Sequence, residues 1–155
     1  MGSLSNKRPL SCKFLILLHL ILGMGAVFGG FVLILDPSGG IIKMPISILE
    51  HSPFDNFLIP GMILFIILGV FPLIISFALV KRWDWNLANR LNIFTKMHWS
   101  WAYSLYIGFA LIVWITVELF FIKGIALVHV GYIFLGLMIQ GVTMLPSVQK
   151  HYSIK

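Results

Sequence analysis

Charge is what this sequence lacks most: among its 155 residues are eleven Lys and Arg and five Asp and Glu. A soluble domain usually gives about a quarter of its residues to charge, whereas this chain is 10% charged and 59% apolar. Too little polar surface exists to cover such an interior. Lipid accepts an apolar exterior without cost, so the solvent is a bilayer and a soluble fold is excluded. Cysteine is nearly absent as well, and a lone Cys12 excludes an internal disulfide. No Walker loop, Rossmann glycine fingerprint, His-Glu-x-x-His, Cys-x-x-Cys or Gly-x-Ser-x-Gly string occurs, which disfavours an ATPase, a zinc protease and a soluble-type hydrolase. Nothing calls for a cofactor. Asp36, Glu50 and Asp55 share one loop, but their spacing matches no calcium-ligand pattern.

What is present is four long apolar runs, residues 14–35, 57–80, 102–121 and 125–145. At 1.5 Å rise per residue each reaches about 30 Å, enough to cross a bilayer. The reading is all-α: one integral membrane four-helix bundle. The first run is too long for a signal-peptide core and reads as a retained signal anchor. Met1-Gly2 opens like a myristoylation signal, but Asn6 stands where Ser or Thr is required.

Orientation follows from the basic residues. Lys7, Arg8, Lys13, Lys81, Arg82, Arg90, Lys96, Lys150 and Lys155 fall on one side, against Lys43 and Lys123 on the other. Both termini are therefore expected on the cytoplasmic side of the cell membrane. The net charge of +6 is a by-product of this topology and not a sign of nucleic acid binding.

Two loops carry further signals. Asp36-Pro37-Ser38-Gly39-Gly40 predicts a turn where the chain leaves the membrane, and Pro45 to Glu50 one short helix whose Ile46, Ile48 and Leu49 rest on the outer leaflet. The segment 81–99 has Leu87, Leu91 and Phe94 at i, i+4, i+7 among polar residues, the pattern of a helix lying along the headgroups. Trp83, Trp85, Trp99 and Trp101 would anchor its ends in the interface. The segment serves either as an anchor on anionic lipid or as a docking surface for a partner protein.

Within the spans, small and polar residues line up at helical spacing instead of scattering. The stripes are His19, Gly23, Ala26 and Gly30; then Gly61, Gly69, Pro72 and Ser76; then Ser100, Ser104, Gly108 and Glu118; and His129, Tyr132, Gly136, Gln140 and Thr143. Small residues let membrane helices approach and polar ones find partners away from lipid, so Gly23, Ala26, Gly30, Gly61, Gly69, Ser104, Gly108 and Gly136 read as packing positions. Pro72 predicts a kink, with Ser76 near enough to satisfy a freed carbonyl. His19 sits at the level of Gln140, which predicts a hydrogen bond between them.

Glu118 and His129 are the candidate chemical pair. The linker Ile122-Lys123-Gly124 makes a tight antiparallel hairpin, which sets both at one depth, about 5 Å below the outer boundary. As a pair they would be a structural lock, a proton site for transport, or an acid–base pair acting on a lipid-like substrate. The three readings stay open on the sequence.

Three strings in order, Asp36-Pro37-Ser38-Gly39, Ser52-Pro53-Phe54 with Phe57-Leu58-Ile59-Pro60-Gly61, and Trp114-Ile115-Thr116-Val117-Glu118 with His129 and Tyr132 downstream, resemble a family of small four-span bacterial membrane proteins without an assigned function. The resemblance implies four spans and no chemistry. The leading functional expectation is a non-enzymatic accessory or assembly component, or a homo-oligomer, with the bilayer and a membrane protein or a second copy as partners. A small proton-linked transporter using Glu118 and His129 is the alternative, and a lipid-modifying enzyme the third.

Overall fold

The computed structural model describes residues 7–124 and 126–154. The Met1-Gly2 opening, Asn6, the first residue of the expected fourth span (Ile125) and the basic Lys155 lie outside the described residues.

Helix α1 runs Leu10–Leu35. A second long helix, Leu58–Lys81, is built from α2 (Leu58–Ile63), a π-helical stretch (Leu64–Val70) and α3 (Phe71–Lys81). Then come α4 (Asn86–Arg90), α5 (Trp99–Ile122), α6 (Leu127–Thr143) and α7 (Pro146–Tyr152). Three of these helices are long and apolar enough to cross a membrane, and α6 with α7 forms a fourth apolar unit bent by 64°. Large apolar side chains point outward on every long helix, including Phe28, Phe109 and Phe134, as a lipid-facing surface requires.

Helix α1 packs on the Leu58–Lys81 helix and on α6, while α5 packs on α6 and α3. Close approach is set by glycine. A Cβ on Gly30 would come within 2.6 Å of the Phe65 nitrogen and 2.7 Å of the Gly61 oxygen, and one on Gly69 within 2.9 Å of the Val27 nitrogen. On the other pair, a Cβ on Gly108 would meet Gln140 Cγ at 2.7 Å and the Gly136 oxygen at 3.2 Å. Backbones this close gain dispersion energy that larger residues would forbid.

Several local expectations are corrected. The helix runs on through Pro72, preceded by π turns in which the Phe71 N–H reaches back to the Ile66 oxygen, a widening of the backbone where the proline ring cannot donate. Ser76 Oγ donates to the Leu73 carbonyl at 2.8 Å, one turn beyond the carbonyls Pro72 frees. In the segment 81–99 the helix stops at Arg90, because Asn92 turns the chain, accepting from the Phe94 N–H at 2.9 Å and donating to the Met97 carbonyl at 2.8 Å. Leu87, Leu91 and Ile93 remain exposed.

The tryptophans divide. Trp99 and Trp101 are buried, and their indole N–H groups donate to the carbonyls of Trp83 and Thr143, each at 2.8 Å. Trp83 and Trp85 stack around Trp99 at 5.4 and 5.5 Å between centroids. Trp99 and Trp101 thus serve as core and not as headgroup anchors, since burying an indole and satisfying its N–H inside the protein uses both ends of the side chain.

The sequence pattern did not indicate α7. It folds back to the start of the chain: Ser147 Oγ lies 2.8 Å from Ser11 Oγ, and Tyr152 Oη donates to the Leu79 carbonyl at 2.8 Å. Arg8 donates to the Val80 carbonyl, and the His98 N–H to the Tyr152 carbonyl. Arg8 and Tyr152 therefore share one end of the molecule, together with residues 81–98.

Candidate functional site

At the opposite end, two apolar cavities of about 370 and 260 Å³ share a wall made by Leu33, Met44, Leu64, Trp114, Glu118 and Ile122. The larger lies under the loop that follows α1. Its roof includes Ile48, Leu49 and Phe54, so Ile48 and Leu49 turn inward instead of resting on the leaflet, and the expected short helix is a single 3-10 turn, Ile46–Leu49.

The roof is held by its own polar groups. One Asp36 oxygen accepts from the N–H and hydroxyl of Ser38, and the other from the Ile41 N–H at 2.8 Å. These bonds hold the Asp36 carboxyl below its ordinary value, the Ser38 hydroxyl contributing most. Gly39 takes φ +78°, where a Cβ would strike the Met44 oxygen, so the turn needs glycine there. The Phe57 N–H then donates to the Pro37 carbonyl at 2.9 Å, tying the loop's end to its start.

Glu118 is half-buried in the shared wall, and His129 and Tyr132 line the smaller cavity with it. The structure thus brings Glu118, His129 and Tyr132 to one space. Among the described residues no hydrogen bond joins Glu118 to His129, and the expected pair is corrected. The cause is helix capping: α5 ends at Ile122, Lys123 turns left-handed at φ 51°, and α6 begins at Leu127. His129 falls in the first turn of α6, where its Nδ1 accepts from the Ala126 N–H at 3.2 Å. One ring nitrogen of His129 is spent on a helix end that a tighter hairpin would not have exposed.

His19 and Gln140 also part from expectation. Both are buried, but His19 Nδ1 turns back along its own helix to the Leu15 carbonyl at 2.9 Å. His19 Nε2 and Gln140 Nε2 are each left without a hydrogen-bond partner. Gln140 Cγ packs over Gly108 instead.

Trp114 is the site residue that sequence reasoning passed over, one helical turn before Glu118. It lines both cavities, and its indole N–H is buried without a partner. Its i, i+4 relation to the one carboxylate of the spans was the available signal. A buried N–H without a partner and a carboxylate one turn along, at the seam of two apolar cavities, form a site that can seat an apolar body and fix one polar group of it. No group of three His, Cys, Asp or Glu able to hold a metal ion occurs among the described residues. Comparison with known proteins found no matching family model, no matching curated protein and no matching solved structure.

Proposed function

We propose that this chain is a non-enzymatic accessory protein of the cell membrane, a four-helix bundle with both termini cytoplasmic, that holds a single-chain amphiphile at its outer end. The tail would fill the two joined cavities, and a hydrogen-bonding head would meet Glu118 and the Trp114 N–H. The observation that carries this reading is an apolar chamber whose wall holds a buried Trp114 N–H without a partner and the Glu118 carboxylate one turn along. An unpaired N–H in an apolar setting costs about 1–3 kcal/mol, which a ligand that accepts from it recovers.

The orientation is supported by charge. Among the described residues, the end shared by Arg8 and Tyr152 carries eight Lys and Arg, and the cavity end carries Lys43 and Lys123. Membership of the four-span family is part of the same proposal. The transport and enzyme alternatives each draw on a coupled Glu118 and His129, and the accessory reading is favoured because no hydrogen bond joins the two among the described residues while His129 Nδ1 caps α6.

The experiment is photo-crosslinking of the purified protein in phosphatidylcholine nanodiscs with a diazirine fatty amine. Label should concentrate on residues 42–57 and 114–122 and fall in Val117→Trp, which fills the larger cavity. Label spread evenly over the outward faces at Phe28, Phe109 and Phe134, and unchanged in Val117→Trp, would overturn the reading.

A further inference from the structure

At the other end of the molecule, a second space of different chemistry opens between the end of α3, the start of α5 and the C-terminal segment. It measures about 740 Å³ and is lined by Arg82, Asp84, His98, Lys150 and His151, with Ser153 and Ile154 completing the rim. Three basic elements converge there from separate parts of the chain.

Each of two side chains is fixed before any ligand arrives. Arg82 ends α3 in the left-handed region at φ 52°, its N–H donating to the Ala78 carbonyl at 2.7 Å. Its guanidinium lies 5.8 Å from the centre of the Tyr152 ring. A contact with an aromatic face positions the cation without neutralising it. Tyr152 is itself buried and pinned through its hydroxyl to the Leu79 carbonyl, so the stacking platform is rigid.

His98 is the N-cap of α5. Its Nδ1 accepts from the Ser100 N–H at 3.3 Å and lies 2.8 Å from Ser100 Oγ. A nitrogen that accepts carries no proton, so the neutral ring has its hydrogen on Nε2. The residue is 6% exposed, and Nε2 has no hydrogen-bond partner. Burial and then the Arg82 charge hold His98 below the ordinary histidine range; the carbonyls of Trp83 and Arg82 lie near enough to pull the other way, yet neither bonds Nε2. Near neutral pH the ring is thus a neutral donor whose Nε2–H makes no hydrogen bond.

We propose that this cavity binds a phosphate group, carried by a lipid headgroup or free in solution, through Arg82, Lys150 and the Nε2–H of His98. Arg82 offers a planar fork of donors, Lys150 a mobile ammonium, and His98, on the cavity wall, a single buried donor. Phosphate has enough acceptor oxygens to engage all three at once, whereas a halide cannot reach separate donors. Asp84 on the same rim repels a second anion and accepts from a hydroxyl beside the phosphate. The inference stands independently of the amphiphile reading, because it uses no residue of the Glu118 cavity.

The test uses the full chain. Thermal unfolding in neutral detergent is followed with inorganic phosphate against chloride at equal ionic strength, and again in phosphatidylcholine nanodiscs with and without phosphatidic acid. Three variants are compared. Lys150→Gln alters an exposed side chain; Arg82→Gly suits the left-handed backbone; His98→Asn keeps an acceptor for the Ser100 N–H and removes the Nε2 donor. Phosphate stabilisation that weakens about tenfold in apparent affinity in Lys150→Gln and His98→Asn, the scale of one charge-assisted hydrogen bond, supports the site with free phosphate as ligand. The same pattern seen only with phosphatidic acid supports it with a lipid phosphate. Stabilisation by neither, equal stabilisation by chloride, or a response unchanged in Lys150→Gln and His98→Asn overturns it.

Discussion

Replacing Gly30 by alanine should destabilise the protein although alanine is the better helix former. The new Cβ would sit 2.6 Å from the Phe65 nitrogen, 2.7 Å from the Gly61 oxygen and 2.8 Å from the Phe65 Cα, against an ordinary contact of 3.4 Å or more. All three neighbours are backbone, so no rotamer change relieves the overlap, and the helices must separate by about half an ångström or more. A gap of that size forfeits a quarter to a half of each well of about 0.1–0.2 kcal/mol along the crossing, and overpacking of this kind costs about 1–3 kcal/mol. Alanine returns about 1 kcal/mol through helix propensity, leaving a net loss of up to about 2 kcal/mol. Gly141 is the internal control, because a Cβ there meets nothing within 4 Å; Gly141→Ala should be neutral or stabilising by up to about 1 kcal/mol. Denaturation in detergent, followed by helical circular dichroism, measures both. Gly30→Ala as stable as the parent, or Gly141→Ala as damaging as Gly30→Ala, refutes the reasoning. The double variant Gly30→Ala with Gly61→Ala should lose less than the sum, since one separation relieves both contacts.

Because His129 caps α6 and does not bond Glu118, His129→Ala should cost about 0.5–2 kcal/mol, and its effect should add to that of Glu118→Gln within about 0.5 kcal/mol; a larger coupling in a double-mutant cycle on detergent unfolding means that the two side chains do interact. Tyr152→Phe removes the bond to the Leu79 carbonyl and should lower stability by about 1–3 kcal/mol in the same assay, whereas no change would leave α7 without its anchor role. The depressed Asp36 carboxyl contributes to the loop fully above the ordinary aspartate value of 3.8 and loses that contribution as pH falls through its lower folded value. The Ser38 and Ile41 amide resonances should follow that titration and become flat with pH in Asp36→Asn; resonances that move only near the ordinary value would contradict it. Accessible cysteine labelling from outside cells should reach Ser47→Cys and spare Asn89→Cys, and the reverse pattern would invert the topology.

Much of the architecture was legible because lipid imposes a one-dimensional code. A helix must satisfy its own backbone within the bilayer, so apolar run length alone marks α1, the Leu58–Lys81 helix and α5 to within a turn. The glycine stripes were legible for a similar reason, since 3.6 residues per turn places His19, Gly23, Ala26 and Gly30 on one face, and all four are buried. The fourth apolar run, 125–145, marks α6 equally well. What it did not mark is α7, which starts at Pro146 just past the run and turns aside to reach Ser11 and Leu79, residues more than 70 positions away.

What the sequence determined by itself, then, is the helical class, the apolar helices of membrane length and the faces they bury, because each follows from periodicity and composition within a window of about twenty residues. Tertiary structure alone decided which polar groups meet. Equal depth in a hairpin suggested Glu118 with His129, and equal level suggested His19 with Gln140, but depth is one coordinate and a hydrogen bond needs all three. His129 went to the nearest backbone N–H and His19 to its own helix, since local partners cost no further ordering. The same three-dimensional choice gathered Arg82, His98 and Lys150 around one cavity from three distant segments, which no spacing rule connects.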